Sequence, residues 1–343
     1  MILLPVGLGL GVAWAVAGSW VPVALLGLIA LVGGLVLLIA GVAGLVRASQ
    51  GWWRAVLLLF VVLVTVPLVY SGTIAFLAAV PPPTRLGGAR PADYGLAASD
   101  VTFPAADGTR LAGWYVPSGT GAAVVLLHGA HSTRTAVLAQ AQVLARHGYG
   151  VLLYDARGHG RSAGRAMELG WYGDDDLHGA VTFLLGRPDV RDGRVAAVGE
   201  SMGGEQALGA LGSDPRLRTV VAEGATNRVA GDWSWLPEKY GARGSFTQAL
   251  HALTCDLTDL LTPATSPPTL ATSVRRAAPR PVLLITAGQK PDEEDAADAV
   301  RRAAPSTVTI WVVPGAGHTQ GLATRPQEWE QHVTSFLDDA LLR

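Results

Sequence analysis

From Met1 to Val46 the chain carries no Asp, Glu, Lys, Arg or His, and a second uncharged run extends from Ala55 to Val80. No other feature limits the fold so severely. A stretch with so little polar surface must satisfy its backbone amides internally, and within lipid only helices and closed barrels do this. A span needs about 20 apolar residues. Ala55–Val80 therefore fits one helix, with Pro67 as an expected kink, and Met1–Val46 is long enough for two. The turn between those two is expected near Ser19-Trp20-Val21-Pro22, because Pro22 breaks a continuous helix. The expectation is three spans, at about 2–18, 22–46 and 55–80. The first is short, Gly-rich and interrupted by Pro5. A cleavable signal peptide is the alternative for it, although no basic segment precedes its apolar run.

The loop between the second and third spans contains Arg47 and Arg54, which favours a cytoplasmic loop and carries everything after Val80 outside. Arg85 and Arg90 follow closely and oppose that bias. A multi-pass chain with its C-terminal part extracytoplasmic is the favoured arrangement. Trp52 and Trp53 suit a headgroup-level belt on either side. The mean hydropathy of +0.33 with 15% charged residues is too apolar for an ordinary soluble protein, and the excess lies in the first 80 residues or so. The single cysteine, Cys255, excludes an intramolecular disulfide framework. A net charge of −1 gives no argument for a nucleic-acid partner.

Beyond a stiff Pro- and Gly-rich linker at 81–98, the composition is that of a globular domain, 99–343. Val101–Phe103 and Leu111–Val116 flank Asp107-Gly108, a hairpin-turn signal. Short apolar runs then alternate with helix-length segments: Ala123–Leu127, Gly150–Tyr154, Val195–Val198, Leu217–Ala222, Val282–Thr286 and Val308–Val313 are the strands. The last helix, Pro326–Leu342, places Trp329, Val333, Phe336 and Ala340 on one stripe. This pattern indicates an α/β fold, a mostly parallel sheet of about eight strands covered by helices on both faces.

Within it, Gly199-Glu200-Ser201-Met202-Gly203 matches G-x-S-x-G between a strand and a helix. A sharp strand-to-helix turn forces the serine backbone into strain, so neighbours two positions away must lack bulk. The hydroxyl is then exposed at the carboxyl edge of the sheet, beside a helix N-terminus that favours developing negative charge. Serine needs a base. His318 follows the last strand on a Gly-containing loop, Trp311-Val-Val-Pro-Gly-Ala-Gly-His318. The other seven histidines lie upstream of the serine or in helical or inserted segments. The acid should follow the strand ending at Thr286, where Asp292 and Glu293 are the candidates and Glu293 is slightly favoured; Glu223, after Leu217–Ala222, is a third. Two backbone N–H groups should form an oxyanion hole, one from Met202 and one from Ala130 in His128-Gly-Ala-His-Ser132. The insertion at about 226–278, with Trp233, Trp235 and Pro237, is longer than a crossover requires and reads as a lid; a passive surface excursion is the alternative.

Together Leu126–Gly129, Tyr154–Ser162, Gly199–Gly204 and Pro314–His318 resemble the α/β-hydrolase superfamily over about residues 95–343. The Gly170–Leu177 run is similar to its peptidase- and dienelactone-hydrolase-like serine hydrolase branch. The resemblance implies the α/β-hydrolase fold and a Ser-His-acid triad acting through an acyl-enzyme. It also implies that Asp155 and Arg157 shape the loops around the site. One departure concerns the acid: the usual Gly-x-x-Asp after the seventh strand is missing, and Pro291 occupies that place counted from Gly288. The expected function is cleavage of a carboxylic ester or thioester of a small-molecule acyl substrate, lipid-derived given the apolar N-terminus, with membrane lipid as the other partner. A serine peptidase and a catalytically silent membrane scaffold are the alternatives. Neither a metal nor an organic cofactor is implied, because no His/Cys/Asp cluster has ligand spacing and no Gly-rich phosphate loop precedes a helix.

Overall fold

The computed structural model describes residues 2–18 and 20–343; Ser19, in the expected turn, lies outside them. The chain divides into two compact units: the N-terminal region through Pro83 together with Leu236–Ala264, and Thr84–Trp235 together with Thr265–Arg343.

The helical unit contains α1 (Leu3–Val16), α2 (Val21–Ala48) and α3 (Trp53–Ala79). Helices α2 and α3 are long and apolar enough to cross a membrane, whereas α1 is shorter than the ~20 residues a span needs. The expectation of three spans thus reduces to two such helices. Their outward side chains, among them Leu26, Ile29, Phe60 and Leu63, are exposed and form an apolar surface. Helix α3 continues through Pro67. Small residues let α1 and α2 cross backbone against backbone: a Cβ on Gly11 would lie 2.6 Å from the Gly27 carbonyl carbon. The unit is completed by a helix from the insertion, Leu236–Asp259, broken at Gly241. The buried Ser71 hydroxyl of α3 donates to the Leu250 carbonyl of this helix at 3.2 Å.

The second unit is built on an eight-stranded sheet. Its elements are β1 (Ser99–Pro104), β2 (Arg110–Val116), β3 (Ala123–Leu127), α4 (Leu138–Arg146), β4 (Gly150–Tyr154), α5 (Gly173–Leu185), β5 (Val195–Glu200), α6 (Met202–Ser213) and β6 (Leu217–Glu223). The insertion ends in α7 (Leu270–Ala277), and β7 (Val282–Ala287), α8 (Pro291–Ala303), β8 (Val308–Val313) and α9 (Pro326–Leu341) follow. The strand order is β1-β2-β4-β3-β5-β6-β7-β8. The β1/β2 and β2/β4 pairs are antiparallel and all others parallel.

Period-two alternation explains the two core layers. Val125 and Leu127 of β3 point to one face, where Leu177, Leu208, Val274 and Val300 of α5 to α8 cover them. Val124 and Leu126 point to the other, against Leu138 and Leu144 of α4 and Trp329 and Val333 of α9. Each such fully buried aliphatic side chain contributes roughly 1.5–3 kcal/mol. Because β4 and β5 flank β3 on opposite sides, the winding direction reverses at β3, and the loops leaving the carboxyl ends diverge there. Parallel register aligns those ends: Leu127 with Gly199, Glu200 with Glu223, and Ala287 with Val313. All the sequence-derived site residues sit on loops, strand ends or helix starts at this edge.

Candidate active site

Ser201 joins β5 to α6 with φ 51° and ψ −121°, outside the regions ordinary side chains occupy. Crowding dictates this. A Cβ on Gly203 would lie 2.5 Å from the Leu127 carbonyl oxygen, and one on Gly199 would collide with the Gly203 backbone. Only glycine at both positions lets the strand turn directly into the helix. The Ser201 N–H donates to the Glu223 carbonyl at 2.7 Å, which ties the turn to β6. Among the described residues neither the Met202 N–H nor the Ala130 N–H has an acceptor.

The loop carrying Ala130 is held on both sides. The His131 N–H donates to Glu168 Oε2 at 2.8 Å, fixing His131 at φ 54°. The Glu168 carboxylate also bonds the rings of His131 and His159, and these bonds hold it below the usual carboxylate range against the opposing effect of burial. His128 is fully buried. Its Nε2 accepts the Ala156 N–H at 3.0 Å, so Nδ1 carries the proton toward the Gly129 carbonyl at 2.8 Å. Burial lowers its pKa to about 4, and it stays neutral. A Cβ on Gly129 would stand 3.4 Å from Ser201 Cβ, so this loop abuts the serine.

His318 leaves β8 on its loop with the ring half-exposed. Its Nδ1 lies 2.6 Å from Glu293 Oε1, and the second oxygen of Glu293 accepts the Ala287 N–H at 3.0 Å. The Glu293 hydrogen bond raises the pKa of His318 above its ordinary value. The ring packs on Gly224: a Cβ there would lie 2.9 Å from His318 Cε1. The same peptide unit, Glu223–Gly224, presents its carbonyl to the Ser201 N–H. Histidine and serine thus bracket one peptide bond at the end of β6.

The two candidates expected after β7, Asp292 and Glu293, both lie inside α8, because the helix starts at Pro291, a residue suited to a first helical turn. Glu293 lies two residues beyond Pro291. Glu293 is buried and turned toward His318, whereas the neighbouring Asp292 is exposed. Glu223 is buried too, but its oxygens accept the Gly321 N–H at 2.7 Å and the Trp329 indole N–H at 2.9 Å. Asp155 accepts the Arg134 and Arg161 N–H groups at 3.0 and 2.9 Å, and Arg157 pairs with Asp176 at 2.7 Å and Asp107 at 2.6 Å. Both stabilise loops, and the Arg157 carbonyl lies 3.0 Å from Nδ1 of His159, the ring that bonds Glu168.

Two further carboxyls escaped the sequence reading. Glu205 accepts the N–H groups of Thr226 and Asn227 at 3.1 and 2.9 Å, and burial pushes its pKa up to about 7. Glu200 meets the amide of Gln140, and burial together with the neighbouring Glu223 pushes it up to about 8. The only sequence signal for either is an acidic residue next to, or one helical turn after, the motif serine.

A model of the serine aminopeptidase S33 family matches residues 119–262. The protein YfhR of Escherichia coli K12 is 33% identical over 134 residues, 37% of this chain and 46% of that protein. A thiohydrolase of Aspergillus aculeatus is 33% identical over 128 residues, covering 36% of this chain and 40% of that protein. The chain thus spans about half or less of the length of these curated relatives. Among solved structures, an esterase of Pyrococcus furiosus superposes with a TM-score of 0.60 at 24% identity, covering 77% of this chain and 98% of the esterase. The chain has the α/β-hydrolase fold. Its sheet order and its strand-to-helix serine turn are those of an α/β-hydrolase, and the resemblance read from the motifs agrees with the superposition.

Proposed function

We propose that this α/β-hydrolase is a membrane-anchored serine hydrolase that cleaves a carboxylic ester or thioester through Ser201, His318 and Glu293. The observation that carries the reading is the 2.6 Å contact between Glu293 and His318 Nδ1, which leaves Nε2 as the acceptor nitrogen of the neutral ring. In the proposed mechanism Ser201 Oγ attacks the acyl carbonyl while Nε2 takes its proton. The N–H groups of Met202 and Ala130 receive the developing oxyanion, and Glu293 holds the ring in one tautomer and stabilises the imidazolium. His318 then protonates the leaving alcohol or thiol and activates water against the acyl-enzyme.

Helices α2 and α3 serve as the anchor, with Arg47 and Arg54 on the cytoplasmic side and the hydrolase unit outside. An anchored site favours an apolar acyl substrate drawn from lipid. Similarity to a thiohydrolase and to an esterase supports ester and thioester chemistry. The aminopeptidase family model supports a second reading, peptide hydrolysis by the same residues. Purified full-length protein assayed on p-nitrophenyl esters of graded chain length, acyl thioesters and aminoacyl-naphthylamides separates the two; turnover of the amides alone would refute ester cleavage. A fluorophosphonate probe should label the wild type and not Ser201→Ala. Equal labelling of both would refute the serine mechanism.

A further inference from the structure

Glu223 lies where the nucleophile's strand neighbour meets the base's loop. Its carbonyl takes the Ser201 N–H at 2.7 Å. Its carboxylate, 5% exposed, takes the N–H of Gly321, three residues beyond His318, at 2.7 Å. The other oxygen takes the indole N–H of Trp329 from the core of α9 at 2.9 Å. The loop between is unsupported by regular structure and includes Thr319 at φ 51°. One residue therefore bonds the serine turn through its main chain and the histidine loop through its side chain.

We infer that Glu223 is a positioning residue that sets the distance between His318 and Ser201 by clamping the Gly321 N–H to the end of β6. This rests on the serine-hydrolase reading above. The division of labour between two carboxylates follows. Glu293 touches the imidazole and fixes its tautomer. Glu223 instead fixes where the imidazole stands. Proximity effects are steep: a displacement of about 1 Å costs about 10²-fold in rate.

Replacing Glu223 by Gln keeps the shape but turns an amide NH2 against one of two buried N–H donors, so the Gly321 bond competes with the Trp329 bond. Trp329→Phe removes one of those donors and lets the Gln carbonyl return to Gly321. The test is kinetics of the full chain in detergent micelles on p-nitrophenyl butyrate, with the fluorophosphonate labelling rate of Ser201 and the melting temperature. Glu223→Gln should lower kcat by about 10²-fold with KM within about twofold, and slow labelling in parallel. Glu223→Gln/Trp329→Phe should recover about tenfold of that loss, although truncating a buried indole lowers its melting temperature below that of either single variant. Trp329→Phe alone should keep kcat within about twofold while melting earlier. If Glu223→Gln does not fold, Glu223→Asp decides the matter, since it keeps the charge but draws the carboxylate back from Gly321 and should lower kcat by at least about tenfold with KM within about twofold. An unchanged kcat in Glu223→Gln, or activity that merely follows melting temperature across the set, would overturn the clamp. A wild-type protein that takes no label at Ser201 would instead remove the hydrolase reading itself.

Discussion

The serine turn and the histidine loop hold Ser201 and His318 by different means. Ser201 is fixed by hard contact, since its φ of 51° and the closeness of Gly203 to the Leu127 carbonyl leave the backbone no alternative path. His318 is fixed by hydrogen bonds to two carboxylates, from its ring to Glu293 and from its loop to Glu223. A steric constraint is insensitive to pH and intolerant of a single added carbon. A hydrogen-bonded one tolerates volume but answers to charge. The proposed nucleophile should therefore fail by crowding and the proposed base by loss of a negative charge.

The largest effect expected from this contrast is electrostatic. Glu293→Gln should lower kcat by about 10⁴-fold, as losing a triad acid does, while Asp292→Asn, one residue away and exposed, should stay within about twofold. Steady-state kinetics on a short-chain ester measures both, and the opposite ranking would reassign the acid.

Crowding comes next. Gly203→Ala places a methyl 2.5 Å from a backbone oxygen that cannot yield, and should cost about 1–3 kcal/mol of stability with about 10²-fold in kcat. Gly129→Ala meets Ser201 Cβ at 3.4 Å, an ordinary contact, and should change stability by no more than about 0.5 kcal/mol. Denaturant titration of the two variants compares them directly. Equal costs would show that the turn is not held by contact.

The ring bond also predicts a pH profile. Glu293 raises the His318 pKa, and the base works only when neutral, so the acid limb of kcat/KM should lie above the ordinary histidine value of about 6.5. Residual activity of Glu293→Gln should move that limb to lower pH. The stability linkage runs in the same direction: the contribution of protonated His318 is complete below the unfolded pKa and is lost as pH rises through the raised folded one. With 44% of the ring exposed and the pair screened, that contribution should stay under about 1 kcal/mol.

Hard contact is legible in a sequence and side-chain direction is not. The glycines flanking Ser201 and the apolar runs either side of them are local patterns with a steric cause, so the serine turn and the sheet could be written down from the residues. The acid could not, because Asp292 and Glu293 differ only in which way the first turn of α8 points them, and the helix start at Pro291 sets that. Glu223 was legible as a candidate carboxylate at a strand end, but not as a group whose partners, Gly321 and Trp329, lie about a hundred residues downstream. The insertion read as a lid over the sheet. Its longest helix groups with the apolar helices, through a Ser71–Leu250 bond that no local pattern announces.

The smallest effect tests whether the serine turn is as indifferent to charge as its contacts imply. Glu200 precedes Ser201, stands in register with Glu223, and is held near a pKa of about 8 by burial and that neighbour. An acid whose folded pKa is raised binds its proton more tightly in the native state. Stability is then undiminished below the unfolded carboxylate value of about 4.3 and declines as pH rises toward 8. Glu200→Gln keeps the contact with Gln140 and removes the ionisation, so it should match the wild type at pH 4 and be more stable at pH 8 by about 1 kcal/mol, a figure discounted for partial exposure. Ester turnover at pH 7 should change by less than about threefold, because the steric hold on Ser201 is untouched. Thermal melts at the two pH values decide it. A rate loss comparable to that of Glu293→Gln would mean that charge, and not contact alone, sets the nucleophile.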